Sequence, residues 1–209
     1  MNPYKTLLKA GEDQFIVNKS RFIGHAAPVT TVEEALGFLE KTRNEHRDAN
    51  HNCFAYILGV NKGIMRYSDD GEPSGTAGLP IIEVMKARDV TDCAVVVTRY
   101  FGGILLGAGG LVRAYAQGAK IALDAAGVGT MHPTSRYMID MSYPLLGKIE
   151  HFLKDKPAIV EDKTFTDTVT MTLIVRQIDE RELIDGLASA SDGRIEAIRL
   201  EEIYLPWAE

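Results

Sequence analysis

The densest run of chemically suggestive residues is Arg99 to Arg113, which reads Arg-Tyr-Phe-Gly-Gly-Ile-Leu-Leu-Gly-Ala-Gly-Gly-Leu-Val-Arg. Glycine tolerates positive φ and lets another group come close to the backbone. If this run leads from a strand into a helix, the free N–H groups at the helix start attract anions. A phosphate therefore suits Gly102, Gly103, Gly107, Gly109 and Gly110, and Arg99 and Arg113 at the two ends add charge-assisted hydrogen bonds. The run is not a Walker A loop, because no Gly-Lys-Ser/Thr follows it. It also departs from the dinucleotide fingerprint, since Val112 stands where the third glycine belongs. The same glycines would equally allow a helix to pack closely on a sheet, and both uses stay open at this level.

Two further segments could carry chemistry. Tyr67-Ser68-Asp69-Asp70-Gly71-Glu72-Pro73-Ser74-Gly75-Thr76-Ala77-Gly78 places Asp69, Asp70 and Glu72 within four residues. They are weak candidates for Mg²⁺, because the spacing matches no EF-hand. Asp, Gly, Pro and Ser are also turn formers, so a shaped recognition loop or a plain turn fits as well. Ser74 and Thr76 would contact phosphate or cap the next helix. In His51-Asn52-Cys53, alternation along a strand places His51 and Cys53 on one face. Packing explains this most simply, because a structural zinc site needs four ligands. His51 joins the recognition-loop candidates. No Ser/His/Asp set is present, His25, His132 and His151 stand alone, and no catalytic residue, cofactor or firm metal site is assigned.

The elements that would position these residues follow from periodicity. Lys5 to Val29 reads as two or three strands. Thr31-Val32-Glu33-Glu34 forms a capping box, with Glu34 reaching back to the Thr31 amide, and opens a helix carrying Ala35, Leu36 and Leu39. His51–Gly59 and Ile64–Ser68 read as paired strands, and Leu79–Ala87 as a short helix with Pro80 in its first turn. Cys93-Ala-Val-Val-Val-Thr98 lacks alternation, which marks a strand covered on both faces. A helix from about Ala108 to Ala126 presents Leu111, Tyr115, Ala119, Ala122 and Ala126, with Gly127 as its C-cap.

Met131-His132-Pro133-Thr134 reads as a linker, dividing a domain at 1–132 from one at 134–209. Beyond it the order is strand, helix, strand, strand, helix, strand, with Asp179 capping the second helix. That order defines the ferredoxin-like unit. Trp207 is expected to seal this domain. The fold class is therefore α+β.

Composition narrows the function. Residues 1–133 hold 14 basic and 14 acidic side chains, and residues 134–209 hold 9 and 15. Bulk basicity is absent, so nucleic-acid binding would need a local patch, for which Lys86, Arg88, Arg99, Arg113 and Lys120 are the material. No apolar run reaches the ~20 residues of a membrane span. Cys53 and Cys93 lie in apolar segments without CxxC spacing. With no secretory signal core, they suggest buried, reduced thiols and a cytoplasmic protein.

At these motifs the chain resembles the IMPACT/YigZ family. The resemblance rests on His51-Asn52-Cys53-Phe54-Ala55, Asp69-Asp70-Gly71-Glu72-Pro73, Gly75-Thr76-Ala77-Gly78-Leu79-Pro80-Ile81-Ile82 and Val96-Val97-Thr98-Arg99-Tyr100-Phe101-Gly102-Gly103. Leu106-Gly107, Gly109-Gly110-Leu111, Arg113 and Tyr115 complete it. The second half is similar to the small C-terminal domain of the bacterial members. The resemblance implies a first domain like the second domain of small-subunit ribosomal protein five, with a left-handed crossover that runs against the usual hand. It implies a second domain like a ferredoxin-like domain of elongation factor G. Eukaryotic relatives regulate translation through regions outside the part that is similar here, so their partner does not carry over. The expected function is a non-catalytic binding or regulatory protein linked to translation. Through the glycine-rich loop it would contact RNA, the ribosome or a translation-related protein. The alternatives are an enzyme or sensor that uses a nucleotide or phosphorylated metabolite, and a module for protein interaction only.

Overall fold

The structure, a computed structural model, describes residues 2–207. It divides into two compact units, residues 4–130 and residues 131–207 with Asn2 and Pro3. The first unit contains β1 (Tyr4–Leu7), β2 (Gly11–Val17), β3 (Ser20–Pro28), α1 (Val32–Glu45), β4 (His51–Leu58) and β5 (Ile64–Ser68). It continues with α2 (Gly78–Ala87), β6 (Cys93–Tyr100) and α3 (Gly107–Ala126). β7 (Val128–Met141) runs unbroken into the second unit, which adds α4 (Tyr143–Leu153), β8 (Ala158–Phe165), β9 (Val169–Arg176), α5 (Glu180–Ala190) and β10 (Ala197–Pro206). Both units combine helices with antiparallel sheet, the α+β class.

In the first unit the sheet order is β2-β3-β6-β4-β5, with every neighbour antiparallel. β6 is central, and its residues alternate between two cores. Cys93, Val95 and Val97 join the core under α2 and α3, together with Cys53, Ala55 and Ile57 of β4. Ala94 joins the smaller core under α1, with Tyr56 and Leu58 of β4. This two-sided burial explains the unbroken apolar run read from the sequence. The expected α3 stripe is buried throughout, and Gly127 closes the helix at φ 71°.

Two local expectations are corrected and a third is extended. Met131–Thr134 is not a linker but part of β7. The strand tolerates Pro133 because its carbonyl still accepts the Gln177 amide (2.9 Å), and this role needs no N–H. Thr31 accepts from the Glu34 amide (3.1 Å), and the Glu34 carboxylate, besides the Thr31 amide, bonds mainly to the amide (2.7 Å) and hydroxyl (3.0 Å) of Thr30. Asp179 gives α5 no side-chain cap, because its carboxylate instead accepts from Arg176 Nε at 2.6 Å.

The second unit has the order β7-α4-β8-β9-α5-β10, with its core on Ile139, Ile149, Met171, Leu173 and Leu187. Trp207 donates through Nε1 to Thr134 Oγ1 at 2.9 Å, and the Arg176 guanidinium lies 5.7 Å from its ring centroid.

α3 sits unusually close to the sheet. A Cβ on Gly24 of β3 would stand 2.1 Å from the Gly118 carbonyl oxygen, and one on Gly118 would stand 2.7 Å from Val97 Cγ1. Gly24→Ala should therefore force α3 off the sheet and cost about 1–3 kcal/mol, read by urea denaturation. Unchanged stability would mean the helix can shift freely.

Candidate functional site

The three segments singled out by sequence converge at the carboxyl end of β6 and the amino end of β4, which pair antiparallel with His51 opposite Arg99. Alternation sends Arg99, His51 and Cys53 toward the α2/α3 side, and Asn52, Thr98 and Tyr100 toward the α1 side.

On the helical side, the loop after β5 folds back over the sheet. Asp69 Oδ1 accepts from the amides of Ala77 (3.0 Å) and Gly78 (2.8 Å), and Oδ2 accepts from Gly75 (2.8 Å). Asp69 thus caps α2, whose N-cap residue Ala77 has no side chain able to do so. Burial acts to raise its pKa, but the three amides outweigh it and hold the carboxyl below the usual range. Asp70 Oδ2 accepts from the Asn52 amide (2.6 Å), and Oδ1 pairs with Arg43 (3.1 Å). Glu72 is buried, and its Oε1 accepts from Arg99 Nη1 (2.7 Å) and from the Tyr115 hydroxyl (2.6 Å), with His51 Nε2 at 3.9 Å. The three carboxylates suggested as metal contacts therefore each face different protein donors.

His51 Nδ1 bonds to the Asp70 carbonyl oxygen (2.8 Å), and the Cys53 thiol donates to the Asp69 carbonyl oxygen (2.9 Å). The pair secures the loop, as packing on one face suggested. Burial pushes both Cys53 and Cys93 up to about 12, which leaves no thiolate at neutral pH. Burial also pushes the Tyr115 hydroxyl up, and the adjacent Cys53 and Glu72 push it further. Thr76 closes the turn by donating to the Pro73 carbonyl oxygen (2.6 Å), while Ser74 is exposed.

The glycine-rich run divides by role. A Cβ on Gly102 would lie 2.0 Å from the Lys19 carbonyl carbon, and one on Gly110 would lie 2.9 Å from Leu106 Cβ, so these two serve packing. Gly103 (φ 84°) and Gly107 (φ 69°) have open space where a Cβ would be, and serve the backbone path. Gly109 is exposed, and a Cβ there would meet only Arg113 Nη1, at 3.7 Å. α3 begins at Gly107 with no side-chain cap and no acidic residue in its first turn.

The two flanking arginines separate. Arg99 is 5% exposed and turned inward to Glu72, so it is not a free ligand at the loop. Arg113 is exposed, makes no ion pair among the described residues, and lines an open cleft of about 280 Å³ with Asn18, Leu106, Gly110 and Gln117.

On the α1 side the structure reveals a polar chain that the sequence did not signal. Glu12 Oε2 lies 3.1 Å from His25 Nδ1, His25 Nε2 lies 3.3 Å from Thr98 Oγ1, and Thr98 donates to Asn52 Oδ1 at 2.7 Å. The chain crosses β2, β3, β6 and β4. The His46 ring lies tilted against the His25 ring, 5.0 Å between centroids, and bonds to the Tyr100 hydroxyl (2.9 Å). Burial lowers the His25 pKa, with Glu12 opposing it. The only available hint was a histidine among the apolar residues of a strand.

This is a two-unit α+β protein with a buried ion pair beneath an exposed glycine-rich loop. Residues 18–123 match the Impact N-terminal domain family, and residues 139–194 match a domain of unknown function (DUF1949). The chain belongs to the IMPACT family. It is 38% identical over 205 residues to IMPACT family member YvyE of Bacillus subtilis, covering 98% of this chain and 94% of that one. Against IMPACT family member YigZ of Escherichia coli it is 35% identical, covering 89% and 92%. Protein IMPACT of Xenopus laevis is 36% identical over 94 residues, which are 43% of this chain and 30% of that protein. The crystal structure of a hypothetical protein superposes with a TM-score of 0.62 at 32% identity, covering 96% and 98%.

Two outcomes follow. Arg99→Ala would strand the Glu72 carboxylate in the core and should cost about 3–5 kcal/mol in chemical denaturation. A loss below 1 kcal/mol would show that water reaches Glu72. Because the folded pKa of His25 lies below its usual 6.5, the unfolded chain binds the proton more readily. Stability should then fall as pH drops below about 6.5, and fall less steeply in His25→Gln, when melting is followed from pH 7 to pH 5. Parallel profiles would place the His25 pKa at its unfolded value.

Proposed function

We propose that this protein is a non-catalytic binding protein linked to translation, and that its glycine-rich loop engages the phosphate backbone of RNA. The carrying observation is the start of α3, without a side-chain cap, beside the cleft lined by Arg113, which makes no ion pair among the described residues. Free amides at a helix start favour an anion. Gly103 and Gly107 leave the approach clear, and Arg113 supplies an exposed cation six residues further on. Phe101 and Leu105, both exposed, add apolar surface on which bases can rest.

The site is local. The first 133 residues balance 14 basic against 14 acidic side chains, so affinity must come from this end of the unit. A nucleotide-dependent enzyme would ask Asp69, Asp70 and Glu72 to hold a metal, whereas all three are committed to protein donors.

The test is fluorescence anisotropy with a labelled single-stranded RNA at several salt concentrations. Arg113→Ala should weaken binding about tenfold and flatten the salt slope by roughly 0.7, as expected for one lost phosphate contact. Absence of binding at low salt, or equal affinity in the variant, would exclude this site.

A further inference from the structure

We infer that the groove between α2 and α3 is a second binding surface, which receives an acidic amphipathic helix from a partner protein. Two adjoining cavities of about 440 and 380 Å³ share Val84, Ala87 and Ala116, and so form one continuous trough along the helix pair. Its exposed walls are Leu79 (40% exposed) on α2 and Val112 (39% exposed) on α3. An apolar trough of this length is more than scattered surface hydrophobicity.

The chemistry of the trough selects the occupant. Both walls are helices whose mid-segment amides are already bonded, so an added strand would find no backbone partners. The floor offers almost no polar group to orient a small ligand. Side chains at i, i+3/i+4 and i+7 of a partner helix can enter a trough between helices, and the small Ala87 and Ala116 leave them room.

The rim sets the charge. Lys86 pairs with Glu83 (2.9 Å) and Arg88 with Asp124 (2.6 Å). Lys120 lines the trough without an ion pair among the described residues. Three cations against two carboxylates leave Lys120 unmatched, which calls for an acidic flank on the partner. A second copy of this chain is a poor occupant. Its helices with acidic first turns, α1 and α5, already bury their apolar faces on Ala35 and Leu39 and on Leu183 and Leu187.

The test is selection of a displayed library of helical peptides on the full chain, with counter-selection on Val112→Glu. The expected winners carry apolar residues at i, i+3/i+4 and i+7 with excess Asp and Glu beside them. A synthetic winner should bind in the micromolar range, weaken about fivefold or more with Lys120→Glu, and lose binding with Val112→Glu or Ala116→Glu. Circular dichroism of Val112→Glu should match the wild type, and Ala87→Glu, at the far end of α2 from Arg113, should lose the peptide but keep RNA binding, which separates this surface from the glycine-rich loop. The inference is overturned if no peptides are enriched over the counter-selected variant. It is also overturned if winners lack acidic bias and ignore Lys120→Glu, if RNA binding falls with Ala87→Glu, or if sedimentation shows dimers that Val112→Glu dissolves.

Discussion

A single buried oxygen, Glu72 Oε1, holds both ends of the glycine-rich connection. Arg99 is the next-to-last residue of β6, and Tyr115 lies in the third turn of α3. Both donate to this oxygen, at 2.7 and 2.6 Å. The loop between them can then stay open and uncapped, because its anchors lie below it. A buried ion pair contributes little net stability against a hydrophobic alternative, but losing one partner costs a great deal. Here its effect is positional. It locks the end of a strand, a helix and the Asp69–Gly78 loop into one arrangement, with His51 and Cys53 tying the same loop to β4.

The sheet separates two kinds of polar structure. Toward α2 and α3 lie the ion pair and the loop it anchors. Toward α1 lies the chain from Glu12 through His25 and Thr98 to Asn52. Asn52 joins the two, since its amide donates to Asp70 Oδ2. Neighbouring strand residues face opposite sides, so this is the shortest covalent link available between the faces. Close approach of α3, allowed by Gly24 and Gly118, keeps Tyr115 within reach of Glu72.

Legibility in the sequence followed the range of the interactions. The buried central strand, the α3 stripe from Leu111 to Ala126 and the β-α-β-β-α-β order of the second unit rest on short periodicities, and the structure has all three. The glycine-rich run was visible as a motif. Its division into packing and open glycines was not, because Gly102 is constrained by Lys19, which is distant in sequence. Arg99 and Arg113 look equivalent as flanking cations, and only the position of Glu72, 27 residues away, sends one inward. Asp69 reads as a weak metal ligand, a recognition-loop residue or a turn residue, and only the path of the turn makes it the cap of α2. Pro133 signals a linker unless the strand asks only for its carbonyl.

The most direct measurement is RNA affinity by anisotropy for Glu72→Ala against the wild type, at one low salt concentration and with native circular dichroism in both. Removing a negative charge near the loop should, by electrostatics alone, strengthen RNA binding. If Glu72 acts by holding the loop in place, binding instead weakens, since Arg99 and Tyr115 lose their common anchor. Unchanged or stronger binding in a folded Glu72→Ala protein would contradict that role.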